Sequence, residues 1–227
     1  MTPKSPILHH SPNHDVRRCG PVDMLVLHYT GMTSGATALA RLLDPESQVS
    51  AHYVVEEDGT IHTLVPESRR AWHAGKSWWR GETDCNSRSI GIEIVNPGHE
   101  FGYVPFPERQ IEAVIRLSLG ILSRHSIPPR NVIGHSDIAP TRKQDPGELF
   151  PWPKLKGYGI GLWPFDGNEN TDATPEAMQT MLAEYGYDIT DPEAAIAAFQ
   201  RHFRPQKIDG IADHQTAGRL HRLLAAV

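Results

Sequence analysis

The stretch HSDIAPTRKQDPG, residues 135–147, combines ionisable side chains with residues that favour a fixed loop. His135 and Asp145 are of types that bind zinc, and Lys143 lies between them. Two prolines argue against a helix over most of the stretch. It follows a short apolar run at residues 131–134, and loops at the ends of strands often carry chemistry. The sequence therefore predicts a candidate site here, with a solvated surface loop as an equal alternative.

Two further segments have the pattern of strands buried in a sheet. VDMLVLHY, residues 22–29, is apolar on both faces and places His28 near its end. SIGIEIVN, residues 89–96, places Glu93 in the middle of an otherwise apolar strand. Because a buried polar side chain is costly without a partner, each is a candidate for metal binding or catalysis. A hydrogen-bonded core histidine and a structural salt bridge are the alternatives.

The rest of the chain alternates strand and helix patterns. An Asp-Gly turn between residues 49–55 and 60–65 predicts a hairpin, and apolar residues at helical spacing predict helices at 34–43 and 107–123. A polar, turn-rich segment then predicts a linker. We expect four parts: an N-terminal arm (1–20), a main domain (21–165), the linker (166–173) and a small domain (174–227) with helices at 175–186, 192–203 and 213–225.

Composition excludes several classes of protein. The net charge of -5 offers no basic surface for nucleic acid. With only two cysteines, Cys19 and Cys85, a disulfide framework is excluded, although a single bridge stays open. We find no apolar core of signal-peptide length, no lipid-attachment cysteine and no apolar run of membrane-spanning length. We therefore expect a cytoplasmic protein, or a periplasmic one if a leader has been removed.

The polar residues of these segments can be assembled into a zinc site. Two histidines and one carboxylate, His28, His135 and Asp145, leave a fourth position on zinc open, as a catalytic site needs. Glu93 can accept a proton from water and pass it to a leaving amine. Lys143 can stabilise the oxyanion of a tetrahedral intermediate. The chemistry indicated is amide hydrolysis, although the ligands lie far apart in the chain and no local motif joins them.

Five segments, taken in order, resemble one enzyme family. LHYT (27–30), VSAHY (49–53), AWHAG (71–75), SIGIEIVN (89–96) and GHSDIAPTRKQDPG (134–147) are similar to the zinc-dependent N-acetylmuramoyl-L-alanine amidases of type 2. This family includes the AmpD and AmiD enzymes and shares its fold with peptidoglycan recognition proteins. The resemblance implies an α/β fold with a mixed central β-sheet flanked by helices. It also implies that His28, His135 and Asp145 hold one zinc ion per chain, that Glu93 is the catalytic acid/base, and that Lys143 is the second catalytic residue.

The small domain adds to this resemblance. YGYDITD, AAFQRHFRP and DGIAD, all within residues 174–227, resemble a three-helix peptidoglycan-binding-like domain, an extension typical of the AmiD group but without a leader here. The resemblance implies hydrolysis of the amide between N-acetylmuramic acid, including its 1,6-anhydro form, and L-alanine, in peptidoglycan recycling or turnover. The partner implied is a muropeptide or peptidoglycan fragment, and we expect a monomer. For a recycling enzyme, we expect this domain only to shape one wall of the groove.

An aromatic segment, AWHAGKSWW at residues 71–79, indicates a groove wall for a sugar or peptide. Packing of its tryptophans on the core is the alternative. We predict a substrate-contacting set of Trp72, His73, Trp78, Asn86 and Arg88. Within this set, Arg88 is a candidate partner for a carboxylate of the stem peptide.

Two other functions are compatible with parts of the pattern. A non-catalytic peptidoglycan-recognition module is the main alternative, but modules of that kind tend to lose a zinc ligand. A third interpretation treats His28, His135 and Asp145 as structural polar residues. Because the sequence keeps all three ligands together with Glu93 and Lys143, it favours a catalyst.

Overall fold

A six-stranded sheet lies at the centre of the computed structural model, which describes residues 5–227. The strands of this part are β1 (Ile7–Leu8), β2 (His14–Val16), β3 (Met24–Tyr29), β4 (Tyr53–Val55), β5 (Ile61–Thr63), β6 (Arg69–Ala71), β7 (Ser89–Ile94) and β8 (Val132–Gly134). The helices are α1 (Gly35–Leu43), α2 (Cys85–Arg88), α3 (Gly98–Phe101), α4 (Glu108–Arg124), α5 (His135–Ile138), α6 (Trp152–Gly157), α7 (Pro175–Tyr185), α8 (Pro192–Phe203) and α9 (His214–Leu224).

The sheet is mixed, as the sequence predicts. Its order is β1-β5-β4-β7-β3-β8, and only the β4–β5 pair is antiparallel. That pair is the predicted hairpin, with Val55 opposite Ile61 at its closed end. Strands β2 and β6 pair separately in an antiparallel ribbon. The helices flank the sheet, so the prediction of an α/β fold with a mixed central sheet and C-terminal helices is confirmed.

One face of the central strands packs against α4. Leu27 of β3 and Ile92 of β7 join a buried cluster with Ile111 and Val114 of that helix. Burying each such side chain contributes about 1.5–3 kcal/mol. Because side chains alternate along a strand, the residues between these apolar ones, including His28, lie on the opposite face.

The opposite face carries the C-terminal helices. Met24 and Val26 of β3 and Ile133 of β8 belong to one buried cluster with residues of α7, α8 and α9. Trp79, which has no exposed surface, also joins this cluster and contacts Tyr185 and Tyr187 edge-on. The C-terminal helices therefore share a core with the sheet.

Two segments differ from what their sequence suggests. The arm predicted at 1–20, of which residues 1–4 lie outside the described residues, is part of the fold from Ile7 onward, since β1 extends the sheet beside β5. Further along the arm, Asn13 is buried. The loop predicted at 135–147 begins with the short helix α5. Among the described residues, no helix is both long enough and apolar enough to cross a bilayer.

Candidate metal centre and groove

The three predicted zinc ligands meet at one point. His28 lies near the end of β3, His135 begins α5 directly after β8, and Asp145 lies in the loop that follows. The Nδ1 atoms of the two histidines are 3.0 Å apart, and Oδ2 of Asp145 lies 3.0 Å from one and 3.1 Å from the other. All three side chains are buried. Strand order explains the meeting, because β3 and β8 are parallel neighbours whose carboxyl ends share one edge.

A chain of hydrogen bonds fixes the proton on the ring of His28. The carbonyl of Cys85 can only accept, so Ser89 Oγ donates to it at 2.6 Å and in turn accepts from Nε2 of His73 at 3.1 Å. The Nδ1 atom of His73 then accepts from Nε2 of His28 at 3.0 Å. This direction leaves Nδ1 of His28 with a free lone pair that points at the ligand triangle.

Burial keeps the two linked rings neutral. Burial, followed by the nearby His135, lowers the pKa of His28 to about 4. Burial, followed by His28, lowers the pKa of His73 well below its ordinary value. Both rings are therefore neutral at pH 7, the form in which imidazole binds a metal.

His135 is held in the same way by a backbone group. Its Nε2 lies 3.0 Å from the carbonyl of Ala74, which can only accept, and 3.3 Å from the guanidinium of Arg142, which can only donate. The shorter contact assigns the proton to Nε2 and leaves Nδ1 free. Arg142 also donates to the carbonyl of Ala74, and its Nε donates to the backbone carbonyl of Lys76 at 2.9 Å, which holds this loop beside the site.

The arrangement fits a zinc ion. Two imidazole lone pairs and one carboxylate oxygen point at a common spot, and they repel each other unless a cation lies among them. Burial raises the pKa of Asp145, but the neighbouring His135 and His28 outweigh burial and hold the pKa well below its ordinary value, so the side chain is an ionised carboxylate. A triangle of this size leaves a position about 2 Å from all three atoms, the usual distance from zinc to nitrogen and oxygen ligands.

Glu93 lies beside the ligand triangle. Its Cα is directly opposite that of His28 in the β3–β7 register, so both side chains lie on the same face of the sheet. Its Oε2 is enclosed and has no hydrogen-bond partner among the described residues. Burial, followed by the carboxylate of Asp145, raises the pKa of Glu93 well above its ordinary value. Such a carboxyl group is suited to move protons near neutral pH.

An open groove of about 700 Å³ leads to this site. Glu93, Lys143, His135 and Asp145 all line it, so the two predicted catalytic residues face the same space as two of the ligands. Every lining residue lies between Tyr29 and Asp145, so within residues 5–227 the C-terminal domain contributes nothing to the walls. The prediction that this domain shapes one wall is therefore wrong.

The predicted substrate-contacting residues divide into two groups. Trp72 and His73 line the groove, and the indole Nε1 of Trp72 is enclosed without a partner among the described residues. Trp78, Asn86 and Arg88 do not line this groove, and their contact with a substrate stays a prediction.

The hydrogen bonds of two of these residues explain their placement. The side-chain oxygen of Asn86 accepts from the backbone of His73 and Ala74 at 3.0 and 2.8 Å, so it braces the loop from behind. Arg88 forms ion pairs with Asp23 and Glu82, which hold its guanidinium outside the groove lining.

The groove also includes residues that the sequence analysis missed. Tyr29, His99 and Phe101 line it, and the hydroxyl of Tyr29 lies 3.0 Å from Nδ1 of His99. The ring of Tyr103 stacks on His99 with centroids 4.4 Å apart. The closely spaced aromatic residues of GHEFGY, at 98–103, were the feature of the sequence that could have indicated this part of the groove.

Two family models match the chain. One, described as N-acetylmuramoyl-L-alanine amidase, matches residues 18–148, more than half of the chain. The other, described as a putative peptidoglycan binding domain, matches residues 171–220. The first match includes every predicted ligand and catalytic residue.

Individual proteins are similar over most of the chain. The N-acetylmuramoyl-L-alanine amidase AmiD of Escherichia coli (strain K12) is 40% identical over 89% of this chain and 82% of its own length. The structure of E. coli AmiD with the substrate anhydro-N-acetylmuramic acid-L-Ala-D-gamma-Glu-L-Lys matches with a TM-score of 0.84 and 39% identity, covering 92% of this chain and 91% of that one. AmpDh3 of Pseudomonas aeruginosa, in complex with anhydromuramic pentapeptide, matches with a TM-score of 0.74 and 35% identity, covering 88% and 90%.

Proposed function

Because the chain belongs to the N-acetylmuramoyl-L-alanine amidase family, we propose that it cleaves muropeptides with one zinc ion held by His28, His135 and Asp145. The bond cleaved is the amide that joins the lactyl group of N-acetylmuramic acid to L-alanine. The similar AmiD and AmpDh3 were solved with anhydromuramyl peptides, which supports the 1,6-anhydro sugar as part of the substrate. The task proposed is peptidoglycan recycling or turnover.

One observation carries the metal assignment. Hydrogen bonds to His73 and to the carbonyl of Ala74 leave both Nδ1 lone pairs directed at the Asp145 carboxylate. Such a cluster needs a cation at its centre, and two nitrogens with one oxygen form a usual ligand set of catalytic zinc. A zinc ion bound here supplies Lewis acidity, which polarises an amide carbonyl and acidifies water.

The residues around the metal have separate tasks in the reaction. Glu93 accepts a proton from the water that attacks the amide carbon, and its raised pKa suits this exchange. Lys143 stabilises the oxygen on which negative charge develops, a role supported by its place in the lining of the same groove. Glu93 then gives the proton to the nitrogen of L-alanine as the carbon–nitrogen bond breaks. The products are the muramic acid sugar with a free lactyl carboxylate and a peptide with a free amine.

A metal-removal experiment tests this function. The purified chain is stripped with a chelator, then reloaded with one equivalent of zinc and incubated with an anhydro-muropeptide. We expect release of the free stem peptide, detected by mass spectrometry, only after zinc is returned. Full activity in the stripped protein, or no cleavage by the zinc-loaded protein, would contradict the proposal.

A second comparison defines the substrate more narrowly. We expect faster hydrolysis of soluble anhydro-muropeptides than of intact sacculi, since the groove is built from the main domain and ends in a buried centre. Equal rates on both would contradict a purely recycling role. The cytoplasmic location and the monomeric state stay predictions, which cell fractionation and light scattering test directly.

A further inference from the structure

Asp137 is a buried carboxylate without a part in the reaction. It lies in the short helix α5, two residues after the ligand His135, and has no exposed surface. Its Oδ2 accepts from the backbone of Gly134 at 2.7 Å. A carboxylate taken out of water is costly unless its oxygens are satisfied by donors. The remaining donors therefore decide whether this turn is stable.

Both of those donors come from the C-terminal domain. The hydroxyl of Tyr187 donates to Oδ1 of Asp137 at 2.6 Å, and Nδ1 of His202 donates to Oδ2 at 2.7 Å. Tyr187 is 2% exposed and His202 is 3% exposed. Hydrogen bonds of this length to a buried carboxylate are among the stronger ones in proteins.

The ring of His202 is held in place on both faces. It stacks on Trp152 with centroids 3.7 Å apart and on Phe203 with centroids 3.7 Å apart. Because stacking fixes the plane of the ring, it also fixes the direction in which Nδ1 donates. The contact with Asp137 is thus a preset part of the domain interface.

The turn that holds Asp137 also connects two zinc ligands. It starts at His135, and the backbone N–H of Ser136 donates to the carbonyl of Asp145 at 2.9 Å. A shift of Asp137 therefore changes the separation of His135 and Asp145. Metal affinity depends on that separation, and partners behind the ligands commonly affect affinity by about 10–100-fold.

We propose that the C-terminal domain positions the zinc ligands from behind, through Tyr187 and His202 acting on Asp137. The proposal rests on the zinc site of the proposed function. It gives the domain a task that does not require contact with the substrate, in agreement with the groove being lined only by residues from Tyr29 to Asp145 in the described chain. Tyr187, His202 and Asp137 are positioning residues in this scheme.

The test compares two tyrosines of the same domain in the full-length chain. Tyr187→Phe removes the hydroxyl that donates to Asp137, whereas Tyr185→Phe removes a hydroxyl from a ring 6.2 Å away that is not one of the Asp137 donors. Both rings belong to the same buried cluster. Zinc dissociation constants are measured by competition with a chromophoric chelator, and the thermal midpoint of each metal-free variant is recorded beside them.

We expect Tyr187→Phe to raise the zinc dissociation constant about threefold to tenfold, less than for a direct partner of a ligand, and Tyr185→Phe to leave it within twofold of wild type. A larger thermal shift on adding zinc should accompany tighter binding. Equal dissociation constants for the two variants would overturn the coupling while leaving the zinc site intact. A wild-type chain that binds no zinc would overturn both the coupling and the proposed function.

Discussion

Removal of the Ser89 hydroxyl should weaken zinc binding while leaving the metal-free fold almost unchanged. In the structure this hydroxyl accepts a hydrogen bond from Nε2 of His73 and donates one to the carbonyl of Cys85. In Ser89→Ala, His73 either keeps an unpaired buried N–H or moves its proton to Nδ1. In the second form the N–H at Nδ1 of His73 faces the N–H at Nε2 of His28. His28 relieves this clash by moving its proton to Nδ1, which is the nitrogen that binds the metal.

The size of the effect follows from this choice. An unpaired buried donor costs about 1–3 kcal/mol. The metal-free protein avoids this cost by shifting both protons, whereas the zinc-bound protein cannot, because zinc needs the lone pair of His28. The penalty therefore appears as lost affinity of about 10–100-fold, which corresponds to about 1.4–2.7 kcal/mol.

Ser87→Ala is the matched control. Ser87, like Ser89, has no exposed surface, but its hydroxyl bonds Asp84 at 2.8 Å and the backbone of Arg18 at 3.0 Å. We expect this variant to lose some stability with zinc affinity within twofold of wild type. Chelator competition gives the affinities, and long-range ¹⁵N spectra of the histidine rings report which nitrogen of His28 carries the proton. Equal zinc affinity for Ser89→Ala and Ser87→Ala would refute the reasoning.

The remaining predictions concern the reacting groups and the acid limit of stability. Glu93→Gln should bind zinc normally and lower kcat by about 10²–10⁴-fold; wild-type turnover would remove Glu93 from the mechanism. Lys143→Met should lower kcat by about 10²–10³-fold with little change in zinc affinity, and an effect confined to KM would instead indicate a binding role. Burial, followed by the charge of Arg17, lowers the pKa of His52 from 6.5 to about 3, so the unfolded chain binds the extra proton and stability falls as the pH drops through this range. Between pH 6.5 and pH 5 the free energy of unfolding measured in urea should therefore fall by about 2 kcal/mol more in wild type than in His52→Gln. An equal fall in both proteins would indicate that His52 is not the group responsible.

The central strands could be predicted because they consist mostly of apolar residues, which indicates burial. Apolar side chains point to both faces of the sheet in VDMLVLHY and SIGIEIVN, and β3 and β7 form within these two segments. The edge strand β1 has no such signal, since Ile7 and Leu8 are 47% and 67% exposed. Its place depends on backbone pairing with β5, which is more than fifty residues away. The limits of the four predicted parts of the chain stay predictions.

The site could be predicted as far as the ligands and not as far as their supports. The resemblance of His28, His135 and Asp145 to a known ligand set does not depend on which side chains surround them. Arg88 shows the limit, because Asp23 and Glu82, which pair with it in space, decide the position of its side chain. The same holds for Tyr187 and His202, whose distance in sequence from Asp137 hides their contact.

The buried cluster that joins β3 and β8 to α7, α8 and α9 limits how the C-terminal domain can be exchanged between related proteins during evolution. In sequence, the two family matches suggest separable modules joined by a polar linker. We expect them to fold as one cooperative unit, since removal of the C-terminal helices would expose Met24, Val26 and Ile133 to water. We expect a single unfolding transition for the whole chain. Recombination that replaces the C-terminal domain would therefore succeed only when the sheet face changes with it.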